Sequence, residues 1–338
     1  MIGLLLSACW LTAGCSVIDE DLSDCNDAQQ FQMDYQLKLV TNMTTELQTQ
    51  LTTITEMSVA GVLETHLKDI FSDFAHDVDL SFYDTEGSLS RLEHVQDIIN
   101  ANQTTYDLTL PMRKYLHLAV ANIKNNDVVS LADDGESYSA TLRQETDLTS
   151  DGSALGVAAG ILPSHTTGLF TARQPMEVLG NVNQTFNVRL FMANSAASLV
   201  IDPKGLNYSD LKVYATGFAD AFLISDSTYI YSDTPPLIKA EEVQTTNELK
   251  CFCSVNFPSR DASRAASNTL WQFKVYLTKT DGSITETVMD IDKPLKAGDL
   301  KVIKGELDSD GAVRPYDSTV GVSVTLDWNN GSNYNPEL

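Results

Sequence analysis

The run Phe31-Gln32-Met33-Asp34-Tyr35-Gln36-Leu37-Lys38-Leu39 alternates apolar and polar residues without a fault, and Val320-Gly321-Val322-Ser323-Val324-Thr325-Leu326-Asp327-Trp328 does so near the other end. A two-residue period sends successive side chains to opposite faces, so each run is a half-buried strand and not an amphipathic helix. Between them the pattern returns in short pieces. Strands are expected over 77–83, 106–110, 138–142, 169–171, 176–178, 185–192, 198–201, 211–215, 221–224, 248–256 and 300–307, and a nearly fully buried one over 114–122. The pieces 270–278 and 283–291 flank Asp281-Gly282, a two-residue hairpin signal. Two interruptions carry a different period. Leu47, Leu51, Ile54 and Met57 recur at four and three residues within a proline-free stretch, which predicts a helix in 44–74, and a second, short helix is expected over 90–99. Many short strands with turn residues between them imply an all-β chain of stacked sheets, two tandem β-sandwich domains with a helical insertion in the first. The first domain is expected at 31–182 and the second at 183–338, with the boundary near Asn183.

With 338 residues, 43% hydrophobic and 20% charged, the chain can bury two cores and does not have a disordered composition. Its 46 acids against 22 bases give a formal charge of -24, which repels phosphate and argues against nucleic acid as a partner.

Residues 2–11 form an apolar run too short to span a bilayer as a helix, and it leads into Thr12-Ala13-Gly14-Cys15. Small residues directly before a cysteine mark a bacterial lipoprotein signal, so residues 1–14 are expected to be a signal peptide and Cys15 the lipid-bearing residue. A secretory signal ending by chance at a cysteine is the alternative. Asp19, Glu20, Asp21 and Asp24 follow with no base among them, so residues 15–30 should stand off an anionic membrane as a tether. Acidic residues at that position resemble the surface-export signal of lipoproteins of the Bacteroides group.

Removal of the signal, which takes Cys9, and lipidation of Cys15 leave Cys25, Cys251 and Cys253, an odd number. Cys251 and Cys253 on one strand would share a face with Cα atoms ~6.6 Å apart, near the upper limit for a bridge. A disulfide from Cys25 to one of them is the other pairing; otherwise they are packed thiols.

The five histidines are scattered singly, no His-Glu-x-x-His or phosphate-binding glycine loop occurs, and Ser153 does not sit in a Gly-x-Ser-x-Gly elbow. Asp308-Ser309-Asp310-Gly311 and Asp133-Asp134-Gly135-Glu136 lack the closing glutamate of a calcium loop and read as solvated turns. No catalytic residue, metal site or cofactor is expected, and the chain is not read as an enzyme.

The segment Cys15-Ser16-Val17-Ile18-Asp19-Glu20-Asp21-Leu22-Ser23-Asp24-Cys25, the strand and turn Val78-Asp79-Leu80-Ser81-Phe82-Tyr83-Asp84-Thr85-Glu86-Gly87, the strand over 114–122 and Leu169-Phe170 together resemble the FimB/Mfa2 family. Its members are the lipoprotein anchors of Bacteroidales fimbriae. The resemblance implies transthyretin-like sandwiches, outer-membrane attachment through the lipid on Cys15, exposure at the cell surface, and a fimbrial shaft subunit (fimbrillin) as partner. In that setting Val320, Val322, Val324, Leu326 and Trp328 either close their own sandwich or form a donor strand for the adjacent subunit. Two other roles stay open: a surface glycan-binding lipoprotein, with Tyr208, Tyr229 and Tyr231 as the aromatic candidates, and a shaft or tip subunit of the same superfamily.

Overall fold

A computed structural model describes residues 30–40, 51, 54–71, 76–87, 90–98, 105–134, 138, 140–144, 160–180, 182, 184–245, 248–261 and 268–328. Among them the fold is all-β apart from one helix, α1 (Ile54–Ile70). A seven-stranded sheet contains β1 (Gln30–Val40), β2 (Asp77–Asp84), β3 (Arg91–Ile98), β4 (Thr105–Pro111), β5 (Lys114–Ala121), β9 (Phe170–Glu177) and β10 (Gln184–Met192), in the order β3-β2-β5-β9-β10-β1-β4. A four-stranded sheet holds β6 (Val129–Asp133), β7 (Ala140–Gln144), β13 (Ala221–Leu223) and β14 (Thr228–Ile230), in the order β14-β13-β7-β6.

A five-stranded sheet is built from β11 (Ser195–Asp202), β16 (Glu241–Val243), β17 (Lys250–Asn256), β20 (Leu300–Leu307) and β21 (Val313–Pro315), in the order β16-β17-β11-β20-β21. The last, six-stranded, sheet runs β22-β19-β18-β12-β15-β8 and comprises β8 (Ile161–Pro163), β12 (Tyr208–Thr216), β15 (Leu237–Lys239), β18 (Trp271–Lys279), β19 (Ile284–Ile291) and β22 (Gly321–Trp328). β10, just after Asn183, pairs in parallel with β1, and β13 pairs with β7, so strands from both sides of that position share sheets.

Three of the four buried clusters among the described residues pack these sheets against one another or against the helix. Leu118, Val120 and Tyr83 of the seven-stranded sheet pack with Leu142 and Phe222 of the four-stranded one. Leu199, Ile201, Phe252 and Ile303 of the five-stranded sheet pack with Val213, Phe273, Val275 and Met289 of the six-stranded one. Between the two sandwiches lies the third core, where Val59, Leu63 and Leu67 of α1 meet Leu80, Phe82 and Ala119 on one side and Val200, Cys251 and Cys253 on the other. The five-stranded sheet is therefore covered on both faces, which explains why β11 is buried along nearly its whole length.

The helix keeps to the expected stretch, and of the expected stripe Leu51 is buried while Met57 is not. Val59, Leu63 and Leu67, spaced by four, are buried, whereas Met57 is 60% exposed and Leu47 lies outside the described residues. The expected stripe fails at Met57 because the sheets on either side of the helix select which stripe is covered. At the helix end the Ile70 carbonyl, one of those with no partner inside the helix, accepts a bond from the Gly168 amide at 2.8 Å. Only glycine permits that approach: a Cβ at position 168 would stand 2.2 Å from Phe71 Cδ1.

Other departures are also tertiary. The short helix expected over 90–99 is strand β3, which pairs from Ile98 to Arg91 along β2 and exchanges weak local helicity for a ladder. The two short strands expected at 169–171 and 176–178 are one strand, β9, which runs through Pro175. β6 and β8 arise in the stretch 125–165, where only 138–142 is expected. The hairpin at Asp281-Gly282 forms as expected: Gly282 has φ +86°, its amide donates to Lys279 O, and Asp281 Oδ1 accepts from Ser283 N. Asn122, at φ +66°, closes the buried strand β5; its side chain accepts from His76 N and donates to Gly168 O.

Two histidines are core residues. His117 stacks on Phe82 and donates from Nδ1 to Ser81 O, and burial pushes its pKa down to about 4. His165 is likewise held neutral by burial, near 3, with Nδ1 accepting from Asn194 Nδ2.

The face assignment of α1 is testable by truncation. Leu63→Ala removes a fully buried side chain and is expected to cost about 2–5 kcal/mol of stability, whereas Met57→Ala is expected to stay within about 0.5 kcal/mol. Denaturant unfolding of the two variants checks this, and equal losses would mean the helix packs through another stripe.

A candidate strand-pairing edge

β22 is an edge strand: β19 pairs with it on one side, and no strand among the described residues pairs with the other. Its register places Val322 beside Met289 and Val324 beside Thr287. Met289 belongs to the core between the five- and six-stranded sheets, so these valines belong to the inner row of their sheet. They are nevertheless 43% and 42% exposed. The covering sheet explains why. Its edge strand β21 spans only Val313–Pro315 and pairs with β20 through Gly305, Glu306 and Leu307 alone. Where β21 ends, the sandwich stays open, and a groove of about 380 Å³ lined by Val313, Pro315, Val320, Val322 and Val324 remains.

The turn between β20 and β21 is held by a side-chain network. Asp308 Oδ1 accepts from the amides of Asp310 and Ala312, Oδ2 accepts from Arg314 Nε at 3.0 Å, and Gly311 takes φ +81°. The carboxylate that resembled a calcium ligand in sequence is thus engaged in an Asx turn. Asp317 caps the next turn through Thr319 N and Oγ1. An extended apolar segment laid along β22 would find, on the side away from β19, an edge that no strand among the described residues pairs with, and the valine row beneath it.

Val320 is buried at the start of the strand, and Trp328 pairs with Ile284. Ladder register slips by one residue between Thr325 and Trp328, so the strict alternation of 320–328 does not continue as one unbroken row. The side chains of Leu326 and Trp328 lie outside the described residues, as do Cys15, Cys25 and the tail 329–338.

Cys251 and Cys253 are buried free thiols on β17 and share the face beneath α1. Burial raises both pKa values, Cys253 up to about 12. The candidate tyrosines do not form one platform. Tyr208 packs with the core between the five- and six-stranded sheets, while Tyr229 stacks on Phe222 and donates to Ala193 O, and Tyr231 donates to Ser259 O beneath the Arg260 guanidinium. Among the described residues no three His, Cys, Asp or Glu side chains come together as a metal-binding group, and no helix is long and apolar enough to cross a membrane.

No protein-family model matches this sequence, and no curated protein matches it. Solved structures do. The chain is similar to a candidate adhesin of Bacteroides ovatus (13% identity, TM-score 0.52, covering 93% of this chain and 99% of that one). It is similar also to a candidate adhesin of Bacteroides thetaiotaomicron (10% identity, TM-score 0.51, 86% and 95% covered). Its structural neighbours include the fimbrial anchor protein Mfa2 of Porphyromonas gingivalis, at 11% identity and a TM-score of 0.43, with 88% and 99% covered. At such identities the likeness is one of fold.

The depth of the two thiols has a direct readout. Both are expected to resist alkylation in the native protein and to react fully in denaturant without reductant. A peptide map in which one of them stays blocked and joined to Cys25 would assign a tether bridge instead.

Proposed function

We propose that this chain is a surface lipoprotein that anchors a fimbria: Cys15 holds the outer membrane through its lipid, residues 15–30 form the standoff, and the edge at β22 pairs with the shaft subunit. The observation that carries the reading is the half-exposed pair Val322 and Val324 on the inner row of an edge strand that pairs on one side only among the described residues. A core strand of a closed sandwich would have both valines covered; here the covering strand stops short. Main-chain bonds along β22 supply affinity without regard to sequence, and the groove gives alternate side chains of the incoming strand somewhere to go. The fold shared with candidate adhesins agrees with a cell-surface role of this kind, and the sequence resemblance to fimbrial anchors supplies the partner class. The acidic surface, with 46 acids against 22 bases, leaves attachment to the lipid rather than to charge.

Two variants test the reading separately. Val322→Lys with Val324→Lys puts charge on the edge at positions where burial is incomplete, so the protein should fold and stay with the membrane while fimbriae are shed into the medium. Fimbriae retained at the wild-type level would overturn the role of this edge. Cys15→Ala removes acyl chains that contribute about 0.8 kcal/mol per buried methylene, and it should release the protein or stall its precursor. A variant that still fractionates with the outer membrane as tightly as the wild type would overturn the lipid anchor.

A further inference from the structure

The seven-stranded sheet has a seam. β9 and β10 are neighbours, yet they pair only at Phe170 with Met192 and Thr171 with Phe191. Continued in that register, Arg173 would stand directly opposite Arg189, and Pro175 opposite Asn187. Like charges facing each other across a ladder repel, and proline has no amide to donate, so the sequence itself forces the strands apart there. At the far end the gap closes again through a side chain: Gln184 accepts from Leu179 N and donates to Glu177 O. What remains between is a cavity of about 530 Å³.

The lining of this cavity is chemically unlike the rest of the molecule. In a chain of net charge -24 it contains two arginines and no carboxylate. Arg189 is exposed and has no ion pair among the described residues, and Lys38 holds the register position beside it on β1. Arg173 is steadied by donation from Nε to Ser225 O. Phe191 is 55% exposed at the closed end of the gap, Tyr229 stands nearby on its Phe222 stack, and Asn187 and Gln174 add side-chain amides. Contrast the cleft beside β3 and β6, where Arg91 already pairs with Asp133 and His94 with Asp79 at 2.9 Å.

We propose that the seam between β9 and β10 binds an acidic saccharide, with the carboxylate of a uronic or nonulosonic acid between Arg173 and Arg189 and a sugar face against Phe191. Guanidinium pairs favour carboxylates through charge-assisted bonds, amides satisfy hydroxyl groups, and an exposed ring covers the apolar face of a pyranose. The repulsion that opens the ladder is then relieved by the ligand's charge. This site is independent of the anchoring reading, lying in a different sheet from β22.

Calorimetry on the purified protein tests it, with tetragalacturonate and sialyllactose as acidic probes, methyl-esterified tetragalacturonate and lactose as their neutral counterparts, and an oligoglutamate peptide. At least one acidic saccharide is expected to bind, its neutral counterpart at least about tenfold more weakly, and added salt should weaken the binding. Arg189→Gln and Phe191→Ala, both at exposed positions, should each weaken it by about tenfold or more with unchanged melting. Failure of both acidic saccharides to bind, affinity indifferent to Arg189→Gln, or binding of oligoglutamate in their place would overturn the assignment.

Discussion

Double-sided burial of the five-stranded sheet is the constraint on which the rest of the structure depends. Along β11, Ala196 and Val200 face α1 while Ala197, Leu199 and Ile201 face the six-stranded sheet, and on β17 the two cysteines face the helix while Phe252 faces the other way. A slip of one residue would exchange these rows and bring side chains of the wrong size into both cores at once. The two sandwiches therefore share one framework, with α1 as the filler between them.

Edges show what that framework leaves undone. The short strand β21 covers its neighbour over three residues, and the inner valines of β22 are left without a roof. In the seven-stranded sheet two adjacent strands part where pairing would oppose Arg173 to Arg189. The second opening arises where chain sequence conflicts with continuous sheet formation, and such conflicts are where functional sites are expected. One opening carries a valine row beside a strand edge, with Asp308, Arg314 and Asp317 at its rim; the other is cationic and ringed by amides and aromatics. Their chemistries suit different partners.

Much of the strand architecture was legible in the sequence, because a two-residue period is a local property written directly in β1, β2, β18, β19 and β22. The Asp281-Gly282 hairpin was legible for the same reason: only a residue free to take positive φ serves that turn. The composition alone disfavoured nucleic acid, since net charge adds up without regard to fold. The edge strand 320–328 was singled out by its alternation, although the pattern could not say whether its valines were covered.

Tertiary structure alone decided the remainder. Which stripe of α1 is buried depends on sheets contributed by residues far along the chain, so Met57 and Val59 could not be ranked by spacing. The conversion of 91–98 from expected helix to strand needed the free edge of β2, and the short strands β8, β14, β15 and β16 exist only because a neighbour offers them a ladder. The seam between β9 and β10 was invisible for a similar reason: Arg173 and Arg189 are unremarkable in sequence until antiparallel register sets one opposite the other. Local patterns determine what a segment can become, whereas pairing, cover and opposition are relations between distant segments, and only the folded chain brings those segments together.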